Sequence, residues 1–205
     1  MRNVAVVLYA VLLLSSGSFA EPTYDDLVVA AKERTRHDVT YDGSYFRIGY
    51  PNGDIPKNKG VCTDVIIRAY RRIGIDLQVE VHRDMQAHFQ QYPKIWGLSK
   101  PDPNIDHRRV PNLQVFFQRK GLVLTASHRA EDYRPGDLVT WMLPGNLPHI
   151  GMVVDRKSED AKRCLIVHNI GRGPRMEDAL FDFPITGHYR YLPRQDHRSQ
   201  DRAGG

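Results

Sequence analysis

The sequence predicts an α+β protein, with helices first and an antiparallel strand meander after them. Three observations carry this. Apolar residues recur at helical spacing in the first half; from Leu122 the apolar runs become short; and turn-forming stretches, "RPG", "PGNLP", "RKSEDAK" and "GRGP", separate those runs.

Taken in order, "TYDDLVVAAKERTRHD" carries a Thr23 or Asp25 cap and a Leu27, Val28, Ala31 stripe, which reads as a helix. "SYFRIGY" alternates like a strand and runs into "PNGDIPKNKG", where two prolines and two glycines impose a loop. A helix from Cys62 to Ile73 follows, with Val65, Ile66, Ala69, Tyr70 and Ile73 on one face; Arg68, Arg71 and Arg72 lie toward its C-terminus and Gly74 stops it. "HRDMQAHFQQY" reads as a short helix with Asp84 as its N-cap, closed by Pro93, and "PNLQVFFQRKG" as a helix begun by Pro111 and ended by Gly121. The strands are "LVLTA", "GDLVTWML", "HIGMVVD", "RCLIVHNI" and "HYRYL", and "GRGPR" between the last two is a turn.

The N-terminus resembles an export signal: Arg2 precedes an apolar run, and Ser18-Phe19-Ala20 is a small-x-small cleavage site. Cleavage after Ala20 makes residues 1–20 a signal peptide, 21–193 a single domain and 194–205 a polar, disordered tail. The run from Val4 to Leu14 is too short to span a bilayer, so no stable membrane insertion is expected after cleavage; the mature protein is periplasmic or secreted. The net charge of +5 and pI near 9.2 suit an anionic envelope polymer. Nucleic acid is not an expected partner, because no binding motif accompanies the charge.

Cys62 stands at the start of a helix, where free amides and the helix dipole favour a thiolate and can hold an oxyanion. The plain alternative is a small buried hydrophobe on the Val65, Ile66 face, and position alone leaves the two readings open. A nucleophilic thiol needs a base and a group that orients it; His149 in "LPHIGMVVD" and His168 in "CLIVHNIG" lie in consecutive strands.

With these residues in view, "RPGDLVTWMLPGNLPHIGMVVD" followed by "LIVHN", and upstream "GYPNGDIPKNKGVCTDVI", resemble the NlpC superfamily of papain-like cysteine peptidases. More narrowly, "GVCTDVIIRAYRRIGIDL", "NIDHRRVPNLQVFF" and "LPHIGMVVD" resemble the bacterial family labelled domain of unknown function 1287, from about Leu27 to Leu192. The resemblance implies a papain-like fold, a helix-capping Cys62 as nucleophile, His149 as base, His168 as orienting group and Tyr50 in the oxyanion site. It also implies an amide bond in peptidoglycan stem peptides as substrate. Where the superfamily has Asp-Cys-Ser-Gly, this chain has Val61-Cys62-Thr63-Asp64.

Asn169 is a second candidate for the orienting role, but in a strand it faces away from His168. Cys164 shares a strand face with His168; it reads as a core residue, the other possibility being a bridge to Cys62. Arg108 and Arg109 could grip a substrate carboxylate through paired hydrogen bonds, and Asp54, Asp64 and Arg172 flank the expected cleft. His82, Asp84 and His88 are the only approach to a zinc pattern, and a capping role accounts for Asp84, so no metal or other cofactor is expected. "GRGPR" lacks the residues of a phosphate loop. The leading reading is an exported cysteine hydrolase; the alternatives are a non-catalytic envelope-binding domain on the same scaffold and a zinc hydrolase.

Overall fold

In the computed structural model, which describes residues 21–193, α1 (Tyr24–Arg34) begins at Thr23. The Thr23 hydroxyl accepts from the Asp26 amide while the Asp26 carboxylate accepts from the Thr23 amide, a reciprocal cap that satisfies two otherwise orphaned donors. The expected signal peptide and tail lie outside the described residues.

A short parallel pairing of β1 (Thr40–Tyr41) with β2 (Lys59–Gly60) leads into α2 (Cys62–Arg72). Every side chain of α2 from Cys62 to Tyr70 is buried, including Asp64 and Arg68, because the helix is wedged between α1, the 42–58 loop and the sheet. Burial of Val65, Ile66 and Ile67 is worth roughly 1.5–3 kcal/mol each. α3 (Leu77–His88) starts earlier than expected: its N-cap is Asp76, whose carboxylate accepts from the Gln78 amide. Asp84 is therefore no cap. It is buried in mid-helix, accepting from Tyr92 Oη at 2.8 Å and Arg119 Nε at 2.6 Å, with Lys120 Nζ at 3.3 Å, and so fastens α3 to α4 (Val110–Lys120).

"SYFRIGY" is not a strand. Phe46 and Ile48 are half-buried, as the alternation suggested, but the backbone bonds sideways to side chains: the Ile48 amide donates to Asn104 Oδ1, and Gly49 O accepts from Gln78 Nε2. With these groups satisfied by α3 and the 102–109 loop, no ladder is needed.

The remaining strands form one antiparallel sheet in the order β3-β8-β4-β5-β6-β7. They are β3 (Leu122–Leu124), β4 (Leu138–Leu143), β5 (Leu147–Lys157), β6 (Cys164–His168), β7 (Arg175–Glu177) and β8 (Ile185–Arg190). β7 occupies the end of the stretch expected to be only a turn. Strand alternation splits the core in two. Leu138, Ile150, Met152, Val154, Val167 and Tyr189 face the helices. Val139, Trp141, Val153, Cys164 and Ile166 face the other way and are covered by Tyr133 and Leu180. The fold is thus α+β, with four α-helices among the described residues and an antiparallel sheet. None of those helices is long and apolar enough to cross a membrane.

Candidate active site

His149 and His168 occupy equivalent faces of β5 and β6, and the antiparallel register brings them together. His149 Nε2 lies 2.8 Å from His168 Nδ1, and His168 Nε2 lies 3.0 Å from Glu177 Oε2 on β7. Both rings are buried, whereas Glu177 is partly exposed. Trp141 on β4 tilts against the His149 ring at 5.9 Å and closes this face of the pair; its indole N–H donates to Leu180 O at 3.0 Å. Gly151 lies between them on β5. A Cβ there would meet Ile166 Cγ2 at 2.6 Å and His168 Cβ at 3.1 Å, so the close approach of the strands depends on its having none.

The carboxylate sets the protons of both rings. Glu177 accepts, so His168 carries its proton on Nε2; His168 Nδ1 then accepts from His149 Nε2–H. This leaves His149 Nδ1 as a bare lone pair, without a hydrogen bond among the described residues. Burial lowers the His149 pKa to about 3, with the neighbouring His168 as second cause, and burial also lowers that of His168 against the raising effect of Glu177. Both rings are neutral near pH 7.

Cys62 is buried at the N-terminal turn of α2. The backbone amides of Ile150 and Thr63 lie close enough to the thiol to favour its anionic form. Ile150 directly follows His149, so the thiol sits near the backbone that carries His149. Cys62 and His149 make no direct hydrogen bond. The helix-start amides do favour the thiolate, as expected, but burial outweighs them and Asp64 adds to it, lifting the thiol to about 11. The resting site therefore holds a thiol and an imidazole, both uncharged.

Thr63 and Asp64 secure this end of the helix. The Thr63 hydroxyl donates to Arg108 O at 3.0 Å, and Asp64 accepts from the Val61 amide at 2.7 Å and from Arg108 Nε and Nη2 at 2.9 and 3.1 Å. Arg108 also donates to Ser44 O and Asp42 O. Four of its five N–H donors are engaged within the fold and Asp64 is its counter-ion, so Arg108 is held as part of the scaffold although it borders the cleft that Arg109 lines. Asp54 is likewise structural, holding Arg68 through two hydrogen bonds and lying 3.4 Å from Arg71.

Arg109 is different. Its guanidinium stacks on Trp96 at 4.1 Å, is paired with Asp106 at 3.2 Å, and borders an open cleft lined also by Gly43, Tyr45, Val61 and Ile105. That cleft reaches Val61, the residue before Cys62. Tyr50 does not join Cys62: it packs edge-on against His82 of α3, ring centroids 5.0 Å apart. Tyr41, held by the β1–β2 pairing and 44% exposed, feels the Cys62 charge: partial burial, then Cys62 and Asp64, push its hydroxyl up to about 12. Arg172 is exposed at the turn before β7, its carbonyl accepting from Arg175 Nε.

Asn169, buried, donates to Gly60 O and holds the strand before Cys62 rather than His149. Cys164 is a buried free thiol in the outer cluster, and Cys62 a free thiol in the helical one. His82, Asp84 and His88 do not converge, and among the described residues no cluster of three or more His, Cys, Asp or Glu forms a metal site. Glu177 and Tyr41 were missed by sequence reasoning. Alternation of Arg175 and Glu177 beyond the glycines was the available signal for the first; nothing short of the strand pairing pointed to the second.

The chain is thus an α+β protein whose antiparallel sheet carries a buried, carboxylate-anchored histidine pair and whose sheet-packed helix α2 begins with a buried thiol. The chain belongs to the family described as Domain of unknown function (DUF1287), whose model matches residues 28–191. The uncharacterized protein YijF of Escherichia coli (strain K12) is 46% identical to it over 162 residues, covering 79% of this chain and 78% of that protein.

Proposed function

We propose that this protein is an exported cysteine hydrolase of the papain-like NlpC type, cleaving an amide bond in peptidoglycan stem peptides. The observation that carries the reading is the proton arrangement: Glu177 fixes His168, His168 fixes His149, and the one unprotonated nitrogen left over is His149 Nδ1, on the residue before Ile150, whose backbone amide favours the Cys62 thiolate.

Because thiol and imidazole both rest neutral, the proton moves as the bond forms. His149 Nδ1 takes the Cys62 proton while Sγ attacks the carbonyl carbon, and amides of the first turn of α2, with the Tyr41 hydroxyl, face the developing oxyanion. The resulting imidazolium is stabilised through His168 by the Glu177 carboxylate. It returns the proton to the departing amine as the C–N bond breaks, and water, deprotonated by His149, then hydrolyses the thioester and restores the thiol. The peptide would run along the cleft at Trp96 and Arg109, where the guanidinium can pair with a stem-peptide carboxylate. Cleavage after Ala20 would place the mature protein in the periplasm or outside the cell.

The test is incubation of peptidoglycan sacculi with the protein and with Cys62→Ala, followed by chromatography and mass analysis. Fragments released by the wild type alone support the hydrolase and identify the bond. Sacculi that bind both proteins without being cut would instead assign the scaffold to envelope binding, a reading favoured by the buried thiol and its missing bond to His149.

A further inference from the structure

A second concave site lies at the far end of α2. Arg34 from the last turn of α1, His37 just beyond it, Lys57 from the loop, and Arg68, Arg71 and Arg72 from α2 surround a cavity of about 310 Å³. Only two carboxylates, Glu33 and Asp54, face the same space, so five permanent cations leave an excess of three positive charges. Arg71 is nine residues beyond Cys62, roughly 13 Å along the helix axis, and the cavity is separate from the cysteine cleft.

The cations are not equally engaged. Arg68 is consumed by Asp54 and by the carbonyls of Lys59, Ile55 and Pro56. Arg72 leans on Glu33 at 3.5 Å, and Arg71 on Asp54 and Asp76 at 3.4 and 3.6 Å. Arg71 nevertheless has Nε and Nη1 buried without an aligned acceptor. Among the described residues Arg34 makes no ion pair, and its Nε is buried without a hydrogen-bond partner. Lys57 has no ion pair there either. A buried guanidinium donor facing like charges is costly unless something negative fills the space.

We propose that this cavity is a binding site for a phosphoryl group, held by Arg34 and Lys57 with His37 and Arg71 at its sides. The planar guanidinium suits a tetrahedral oxyanion through paired N–H donors, and a dianion offsets most of the excess charge. The electrostatics agree with the geometry: burial and then the charge of Arg68 lower the Arg34 pKa, and the charge of Arg34 lowers that of His37. Both are groups that an incoming anion would relieve. The phosphoryl group could arrive on a soluble ligand or on a lipid headgroup, and the site stands whether or not Cys62 is a nucleophile.

Binding of inorganic phosphate is measured by calorimetry at constant ionic strength, and in parallel sedimentation with phosphatidylglycerol vesicles is compared with phosphatidylcholine vesicles. Wild type is expected to bind phosphate, and the double variant Arg34→Gln, Lys57→Gln to bind at least tenfold more weakly, with Arg34→Lys retaining most of the affinity. Arg34→Gln removes no ion pair or hydrogen bond formed among the described residues, so the fold should survive, which circular dichroism checks. Sedimentation with the anionic vesicles alone, lost in the double variant, assigns a headgroup; phosphate binding without sedimentation assigns a soluble ligand. Failure of the wild type to bind either probe, or undiminished binding by the double variant, overturns the proposal.

Discussion

His149 Nε2 and His168 Nδ1 share one proton at 2.8 Å, and the proton's position is set from outside the pair by Glu177. Removing the anchor should matter even though Glu177 is distant from the thiol. In the Glu177→Ala variant His168 can protonate either nitrogen, so His149 Nδ1 is bare in only part of the population. A fall of about tenfold in kcat with little change in KM is expected, against about 10²–10⁴-fold for His149→Ala. Steady-state kinetics on released wall fragments, or on a peptide amide, decide it; unchanged kcat in Glu177→Ala would remove the carboxylate from the relay.

The neutral resting pair has a pH signature. The competent form, free imidazole with intact thiol, persists above the His149 value of about 3 and below the Cys62 value of about 11. Alkylation of Cys62 by iodoacetamide should therefore be slow at pH 7 and climb steeply toward pH 11. A thiolate already formed at pH 7, giving a flat, fast rate, would contradict this account.

The same burial makes stability fall in acid. His149 and His107 are both held near 3 in the folded chain, chiefly by burial, against an ordinary value near 6.5. Below about 6.5 the unfolded chain takes up protons that the folded chain refuses, so this contribution is present at neutral pH and is lost as pH falls from 6.5 toward 3. Thermal melting across that range should show a declining Tm, and His107→Gln should flatten the slope. An identical slope in that variant would exclude His107 as a source.

Two neighbouring arginines should separate cleanly. Arg108→Ala strands the buried Asp64 carboxylate and is expected to cost about 3–5 kcal/mol in urea unfolding. Arg109→Ala removes the Trp96 stack and one of the partners of the buried Asp106 carboxylate, which the Asp102 amide still holds, so it should cost less, about 1–3 kcal/mol, while raising KM for carboxylate-bearing peptides. A KM unaffected by Arg109→Ala would place the substrate elsewhere.

Gly151→Ala tests the strand spacing. Its methyl would press on the Ile166 Cγ2 stem and on His168 Cβ, neither of which is a flexible tip. Destabilisation of about 1–3 kcal/mol is expected, with the His168 ring displaced from His149. Histidine NMR chemical shifts report the second effect directly, and unperturbed ring resonances would count against it.

What the sequence disclosed follows from where its signals are local. Cys62 to Ile73, Pro111 to Gly121 and the long strands announce themselves because caps, periodicity and turn residues act within a few positions. Phe46 and Ile48 misled because alternation reports half-burial, and only a partner strand turns that into a ladder. Asp84 resembles a cap because the segment after His82 has helical character of its own; its true partners, Arg119 and Tyr92, lie outside that helix. Arg108 and Asp64 each resembled a free site group for the same reason, since their pairing spans the fold. The meeting of His149 and His168 was readable from strand parity, but Glu177 belongs to a three-residue strand too short to stand out, and the weight of burial over the helix dipole at Cys62 required the packing itself.

The seclusion of Cys62 bears on endurance. Peroxides and small disulfides attack the anionic, accessible form of sulfur, and this thiol is protonated, shielded from solvent and assigned to a different core cluster from Cys164. Such a sulfur ages slowly in the presence of oxidants, and under the proposed mechanism it would acquire its reactivity only while a substrate occupies the cleft.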